Sequence, residues 1–262
     1  MDITKYYAQE GEKPLDNIVN DGGFCKIFRT IGCIGDSLSS GEFETDSDEG
    51  IASFHDYYEY SWGQFMARET GSKVYNFSKG GMTAAEYSEN FAKQKGFLSE
   101  DLACQAYIIA LGVNDIFGQG IEIGSVDDIQ PGTGYRNAKT FAGYYGRIIQ
   151  MYKAIQPDAK FFLVTMPRET DYEEKEQKKE KHAKVLYDIA DKFKNTYVID
   201  LNKYAPVYDA EFKRNFFMGG HMNPAGYALT AKMITSYIDY IIRNNPEDFA
   251  RVGLLGTRYY RV

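Results

Sequence analysis

The sequence feature that most constrains the fold is an apolar run, beginning at Phe28, that breaks into Gly35-Asp36-Ser37. A short apolar run bounded by turn residues is typical of a strand buried on both faces of a parallel sheet. The Gly-Asp pair then indicates a tight turn with the Ser37 hydroxyl at its tip. Because ligands of open α/β sheets bind beyond the carboxyl ends of the strands, Ser37 would be held by rigid backbone and still face solvent. Taken alone, Ser37 is also explained as a helix N-cap.

Further strands and helices alternate along the chain. After a first strand at about 27–34, the predicted strands are 73–77, 106–111, 160–165 and 197–201. The predicted helices are about 60–69, one starting near Ala84, about 139–155, 173–193, and a last helix with Asn223 and Pro224 at its N-cap and first positions. This alternation predicts a three-layer α/β/α sandwich around a parallel sheet of about five strands. Counting only those strands, we expect the order 2-1-3-4-5.

The length of 262 residues and the hydrophobic content of 44% favour one sizeable domain. We assign it to residues 27–245, which contain every predicted strand. Residues 1–26 are polar and are predicted to pack over the domain surface as an extension. Residues 246–262 carry several apolar side chains, so this tail is expected to dock on the domain or on a second subunit of a homo-oligomer.

Charge and cysteine content exclude several protein classes. The net charge is -7 and no basic cluster is present, which disfavours nucleic-acid binding. The N-terminus lacks the basic and apolar regions of a signal peptide, and no apolar run reaches membrane-spanning length, so a soluble protein is expected. Cys25, Cys33 and Cys104 have no CxxC spacing and indicate no disulfide framework. Together these features favour the cytoplasm.

Catalysis by a serine requires a base for its proton and hydrogen-bond donors for the oxyanion. Only three histidines are present. His182 lies in a highly charged helical segment and His55 in an aromatic loop, so both are predicted to be surface residues. His221 follows two glycines and precedes a helix cap, near the carboxyl edge of the last strand, and is the candidate base. Taken alone, a histidine in such a loop is more often structural.

Oxyanion donors are predicted at the ends of three strands. The backbone N–H groups of Ser37 and Gly81 and the side-chain amide of Asn114 converge if the first strand lies between the second and third. Glycine allows close approach of the backbone, and a neutral amide donates without titrating. Separately, Gly80-Gly81 is explained as an ordinary turn and Asn114-Asp115 as a helix cap.

Four motifs occur in a fixed order along the chain: Gly35-Asp36-Ser37-Leu38, Asn76 with Gly81 five residues later, Gly112-Val113-Asn114-Asp115, and His221 followed by Asn223-Pro224. Together they resemble the four blocks of the SGNH, or GDSL-type, hydrolases, over residues 31–227. The resemblance implies a flavodoxin-like fold, with Ser37 as nucleophile, His221 as base, and Ser37, Gly81 and Asn114 as oxyanion donors. It implies no metal or other cofactor. The family includes esterases, lipases, thioesterases and carbohydrate O-acetylesterases.

One position departs from the family pattern. The acid of the triad normally lies three residues before the histidine, and Met218 occupies that position. His221 must then be oriented by a backbone carbonyl, a water molecule or another acid such as Asp209. A Ser–His dyad is the least elaborate interpretation.

The sequence carries little information on the substrate. A long acidic loop is predicted over 42–49 and, if it borders the crevice, would disfavour strongly anionic ligands. Tyr57, Tyr58, Tyr60 and Trp62 offer surfaces on which sugars stack, although such side chains more often pack within the protein. We expect a short acyl ester, preferably an acetyl group on a carbohydrate, cleaved through an acyl-enzyme.

Other functional classes remain open. A lysophospholipase or thioesterase would use the same site, and a non-catalytic carbohydrate-binding protein could retain the fold. A nucleotide-binding flavodoxin-like protein is disfavoured because both GxGxxG and GxxxxGK[ST] are absent.

Overall fold

The computed structural model describes residues 3–46, 50–169 and 172–260. Within them the strands are β1 (Thr30–Gly35), β2 (Glu42–Asp46), β3 (Ala52–Asp56), β4 (Lys73–Asn76), β5 (Ala106–Ala110), β6 (Lys160–Val164), β7 (Thr196–Ile199), β8 (Phe217–Met218) and β9 (His221–Met222). The α-helices are α1 (Ser37–Ser40), α2 (Trp62–Thr70), α3 (Ala84–Glu86), α4 (Ala92–Gln94), α5 (Phe141–Ile155), α6 (Glu173–Lys192), α7 (Leu201–Tyr204), α8 (Ala210–Phe216), α9 (Pro224–Asn244) and α10 (Pro246–Phe249). Tyr87–Phe91 and Asn114–Gly118 form π-helical turns.

Five strands form one parallel sheet in the order β4-β1-β5-β6-β7. When the strands outside this sheet are left out, this is the expected order 2-1-3-4-5. The predicted strand order is therefore confirmed. Since β1 lies between β4 and β5, the residues that follow these three strands meet at one edge of the sheet.

The sheet is covered on both faces. On one side, buried side chains of β1 and β5 pack with those of α2 and α9, among them Ile31, Trp62 and Ile238. On the other side, Ile109 packs with α5 and α6 through residues such as Tyr145. These two apolar clusters make the predicted three-layer α/β/α arrangement, and the prediction is confirmed. The three cysteines are free thiols buried within these clusters.

The acidic segment after Ser37 is not a long loop. In its described part, β2 and β3 pair as an antiparallel hairpin, with Glu44 opposite Phe54. Phe43 anchors this hairpin, because its ring packs against those of Tyr57, Tyr60 and Tyr227. We call residues 42–46 and 52–56 the acidic hairpin; residues 47–49 of the predicted loop lie outside the described residues. The loop prediction was wrong because the high charge of this segment is typical of a solvated loop, whereas its acidic side chains alternate with Phe43 and Thr45 in the period of two that marks a strand.

The two remaining histidines have different environments. His55, on β3, is exposed as predicted, and its Nε2 lies 3.0 Å from the Ser53 hydroxyl. His182 was predicted to be a surface residue, and this is wrong: its side chain is fully buried on the inner face of α6, against the ring of Phe141. Its Nε2 donates to the carbonyl oxygen of Leu111 at 3.3 Å, and burial lowers its pKa to about 4. The neighbouring lysines in the sequence make this segment of α6 look solvent-exposed, so the burial of His182 could not be inferred from it.

We expect His182 to make folding stability depend on pH. Its pKa falls from 6.5 to about 4 on folding, so the unfolded chain binds more protons between these values. The stabilisation is complete above about pH 6.5 and is lost as pH falls towards the folded-state pKa, at a cost of about 2 kcal/mol between pH 7.5 and pH 5. Urea unfolding of wild type and His182→Gln at both pH values measures this difference. An equal pH dependence in the two proteins would contradict it.

Both ends of the described chain contact the sandwich. The backbone N–H of Val19 donates to Ser236 at 3.0 Å, and Arg243 of α9 forms ion pairs with Glu12 at 2.6 Å and with Asp239 at 2.8 Å. Near the C-terminus, the carbonyl oxygen of Leu255 accepts from Arg29 at 2.9 Å. Among the described helices, none combines the length and apolarity that crossing a membrane requires.

Candidate active site

A cavity of about 390 Å³ opens at the carboxyl ends of the parallel strands. Ser37, Asn114 and His221 all line it. Ser37 follows β1, Asn114 follows β5, and His221 begins β9, so three distant parts of the chain contribute to one site. The structure thus brings together the predicted nucleophile, the predicted base and one predicted oxyanion donor.

Ser37 is the first residue of α1, and Asp36 is the N-cap. A carboxylate oxygen of Asp36 accepts from the N–H of Leu38 at 3.1 Å, so capping does not occupy Ser37. Within residues 3–46, 50–169 and 172–260, the Ser37 hydroxyl has no hydrogen-bond partner. The turn also needs Gly35, because a Cβ there would lie 2.9 Å from the carbonyl oxygen of Ala110. Ser37 is therefore held at the end of β1 with its hydroxyl available.

The carboxyl group of Asp36 is buried next to the nucleophile. Burial raises its pKa to about 7, and the nearby carboxylates of Asp115 and Glu42 act in the same direction, whereas the N–H of Leu38 opposes them. Near neutral pH this group is therefore partly protonated. A full negative charge beside Ser37 would oppose the formation of an oxyanion, and partial protonation reduces this effect.

Asn114 starts the π-helical turn after β5, and its amide nitrogen donates to the carbonyl oxygen of Met82 at 3.1 Å. Next to it, the fully buried Asp115 accepts from the N–H of Ala84 with both carboxylate oxygens at 3.0 Å. These bonds hold the residues that follow β5 against the turn that follows β4. Because an amide nitrogen carries two hydrogens, Asn114 retains one to donate to a ligand.

Gly81 lies in that same turn with φ +70°, a backbone conformation that favours glycine. It is exposed and is not among the residues that line the cavity. A Cβ on its neighbour Gly80 would collide with the carboxylate of Glu42. The carboxylate of Glu42 therefore lies beside this turn.

His221 lies between two carboxylates of the acidic hairpin. Its Nε2 is 3.1 Å from Oε1 of Glu42, and its Nδ1 is 3.3 Å from Oε2 of Glu44. The ring also packs edge-on against Phe54, with 5.6 Å between centroids. Since a neutral imidazole has a single N–H, the ring can donate hydrogen bonds to both carboxylates only when it is protonated. In this arrangement Nε2 contacts Glu42 rather than Ser37.

The two carboxyl groups differ in their electrostatics. Burial raises the pKa of Glu42, and the neighbouring carboxylates of Asp56 and Glu44 add to this rise, while His221 opposes it. The pKa of Glu44 is lowered, first by the hydrogen bond from the N–H of Gly220 and then by His221. Glu44 therefore remains ionised under conditions in which Glu42 takes up a proton more readily.

Sequence reasoning missed Glu42 and Glu44. The available signal was the Glu-x-Glu spacing directly after the nucleophile, which on a strand puts both side chains on one face. Asp209, the acid considered instead, accepts from the N–H of Phe212 at 2.9 Å and caps α8. Met218 pairs with His221 across the β8–β9 ladder and is 39% exposed.

Further apolar and charged side chains line the cavity. Buried apolar side chains form its inner wall, namely Trp62, Leu201, Met222 and Ile234. Elsewhere the lining is charged and includes Glu169, Lys175 and Lys179. The buried Lys179 forms ion pairs with Glu169 at 3.0 Å and Glu176 at 3.2 Å.

Among the aromatic residues predicted as candidates for sugar stacking, Trp62 lines the cavity, whereas Tyr57 and Tyr60 pack on Phe43. In the part of the chain that the structure describes, no group of three His, Cys, Asp or Glu side chains could hold a metal.

In a comparison with protein families, residues 33–229 match the profile described as the GDSL-like lipase/acylhydrolase family. A comparison with curated proteins finds no significant match.

Solved structures resemble this chain at low sequence identity. A family two carbohydrate esterase from Clostridium thermocellum, in complex with cellohexaose, is 16% identical with a TM-score of 0.57, covering 84% of this chain and 65% of its own. A carbohydrate esterase family 2 enzyme from Corynascus thermopiles is 15% identical with a TM-score of 0.56, and the match covers 86% of this chain and 67% of the esterase. The esterase EstA from Pseudoalteromonas sp. is 15% identical with a TM-score of 0.56, and the match covers 82% of this chain and 100% of EstA. This chain thus spans about two thirds of the two carbohydrate esterases. At such identities the likeness concerns the fold.

Proposed function

The chain belongs to the GDSL-like lipase/acylhydrolase family, and from this premise we propose that it hydrolyses a short-chain ester with Ser37 as nucleophile and His221 as general base. The observation that carries the proposal is the shared cavity, which is lined by an imidazole, a carboxamide and a serine hydroxyl without a hydrogen-bond partner among the described residues. Each of these groups has a separate task in acyl transfer.

The reaction proceeds in two halves. Oγ of Ser37 attacks the acyl carbon while Nε2 of His221 accepts its proton, and the alcohol then leaves with that proton. Water, activated by His221 in the same way, releases the acid from the acyl-enzyme. The N–H group of Ser37 and the amide of Asn114 donate to the oxyanion in both halves, whereas the N–H of Gly81, the third donor expected from the sequence, lies outside the cavity lining. Glu42 must leave Nε2 before the first transfer, since that nitrogen needs a free lone pair.

For the substrate we propose an acetyl or similarly short acyl ester of a carbohydrate. A cavity of about 390 Å³ lies within the usual range for sites of small ligands. Its buried apolar wall, with Trp62 and Met222, suits a short acyl chain, and its charged part suits a polar alcohol. Two of the structures with this fold are named carbohydrate esterases, which supports the same class. The proposed chemistry requires no cofactor.

Turnover of p-nitrophenyl esters of increasing acyl length, together with release of acetate from acetylated oligosaccharides, tests this function. We expect the highest kcat/KM for acetate esters and labelling of Ser37 by a fluorophosphonate. Preference for long acyl chains would instead indicate a lysophospholipase or thioesterase. Absence of both turnover and labelling would contradict an esterase and favour a carbohydrate-binding protein that retains the fold.

Asn114→Ala is expected to lower kcat by about 10²–10³, the usual cost of removing one oxyanion donor. KM should change much less, because the donor acts mainly in the transition state. Since Asn114 also bonds Met82, thermal unfolding must show that the variant is folded. Asn90→Ala, which removes an exposed amide that bonds Glu86 and does not line the cavity, is the matched control. A kcat close to that of wild type would show that Asn114 does not bind the oxyanion.

A further inference from the structure

The position at which this family places the orienting acid carries no acid in this chain. Met218 lies directly across the β8–β9 pair from His221. A thioether sulfur is a weak hydrogen-bond acceptor without charge, so it cannot stabilise an imidazolium as a carboxylate does. The carboxylate of Asp209 is engaged in capping α8. Any carboxylate that orients His221 must therefore come from another element.

The acidic hairpin supplies such a group. Oε2 of Glu44 lies 3.3 Å from Nδ1 of His221 and accepts the backbone N–H of Gly220 at 2.5 Å. One oxygen thus contacts both the ring and the residue just before it in sequence. Through these two contacts the carboxylate has a fixed position relative to the imidazole.

Two glycines before His221 create the space for this carboxylate. A Cβ on Gly219 would lie 2.6 Å from Cδ of Glu44, and a Cβ on Gly220 would lie 2.9 Å from its Oε2. Gly219 also has φ +64°, a conformation that other residues adopt at a cost. The Gly219-Gly220 pair is therefore explained by the close approach of Glu44.

The charge of Glu44 suits this role. Its hydrogen bonds from Gly220 and His221 hold the pKa of the carboxyl group below the usual value, so it is ionised when His221 accepts a proton. Glu42, on the other edge of the ring, has a raised pKa and contacts Nε2, the nitrogen that must receive the proton of Ser37. The two glutamates are therefore not equivalent.

We infer that Glu44 is the positioning residue that fixes the tautomer of His221 and stabilises its protonated form, in place of the acid missing at position 218. The inference rests on the proposed Ser37–His221 chemistry. With Nδ1–H donated to Glu44, the lone pair of the neutral ring lies on Nε2. When Nε2 takes the proton from Ser37, the positive ring faces an ionised carboxylate. The proton then passes to the leaving alcohol, and Glu44 itself neither gains nor loses one.

The test compares Glu44→Ala, which removes acceptor and charge, with Glu44→Gln, which retains an acceptor oxygen. We expect Glu44→Ala to lower kcat by about 10²–10⁴, since loss of the orienting acid costs up to about 10⁴ in a serine protease. KM should stay within about threefold, because the interaction strengthens in the transition state. Glu44→Gln should lose about as much, because its amide is uncharged and can donate to Nδ1, which favours the wrong tautomer of His221. Thr45→Ala, exposed on the opposite face of the same strand, is the control for the hairpin.

A second substitution distinguishes two roles of Glu44, namely orienting His221 and stabilising the fold of the acidic hairpin. Adding Met218→Asp to Glu44→Ala places a carboxylate on the cross-strand partner of His221, and we expect at least about tenfold recovery of kcat. Near-normal kcat in Glu44→Ala, with Ser37→Ala inactive, would overturn the inference and leave the proposed function intact. Loss of activity together with a lower Tm and no recovery through Met218→Asp would also overturn it, by assigning Glu44 a structural role. Absence of ester turnover in wild type would overturn both proposals.

Discussion

Replacing Ser37 with alanine is expected to abolish ester hydrolysis above the level that binding and the oxyanion donors alone provide. In a well-studied serine protease, loss of the nucleophile lowers kcat by on the order of 10⁶. The same change should prevent labelling by a fluorophosphonate. Because the Ser37 hydroxyl has no hydrogen-bond partner among the described residues, and Asp36 caps α1, the variant should keep the Tm of wild type. Steady-state rates with p-nitrophenyl acetate and thermal unfolding measure these effects.

The control for this variant is Ser99→Ala, an exposed serine distant from the cavity, which should keep full activity. If Ser37→Ala retained a substantial fraction of wild-type kcat and another residue carried the label, Ser37 would not be the nucleophile. The oxyanion donors would then have to be reassigned as well, since one of them is the backbone N–H of Ser37.

The second large effect is expected for His221→Ala. Removal of the base lowers kcat about as much as removal of the nucleophile, on the order of 10⁶ in the same type of enzyme. The losses in Ser37→Ala and His221→Ala should not add, because the two groups perform one proton transfer. The double variant should therefore be no slower than either single variant. Rates for the two single variants and the double variant measure this.

His55→Ala provides a matched control for the base. His55 is exposed on β3 of the acidic hairpin and contacts Ser53 rather than the cavity. We expect wild-type activity in this variant. Retained activity in a folded His221→Ala protein would show that another group accepts the proton of Ser37.

The sequence predicts the parallel sheet well. Apolar segments such as 106–111, each followed by polar residues, are consistently interpreted as buried strands. Because these segments alternate with amphipathic helices, the sequence also predicts the class of fold. Local capping chemistry is equally clear: Asn223 caps α9 and Pro224 is its first residue, as the pattern predicts. Ser37, Asn114 and His221 were identified because each follows or borders such an element.

Two features could not be predicted, for a physical reason. The charges of β2 and the first half of α6 are typical of solvated segments, yet Glu42 and Glu44 face His221, and Lys179 and His182 are buried. Charge in a sequence does not tell whether a partner from a distant segment neutralises it. The Glu44–His221 pair is of this kind, because its members meet only once α1 and the hairpin are folded against β9.

Gly41 is the single residue between α1 and β2, and its φ of +82° turns the chain from one to the other. Ser37 and both glutamates consequently belong to one short, continuous stretch of backbone. In an enzyme whose acid is close to the histidine in sequence, the nucleophile and the acid belong to different segments of the chain and can be changed independently. Here a change in the backbone turn at Gly41 would move both glutamates relative to Ser37, so that the nucleophile and the proposed acid have to be redesigned together.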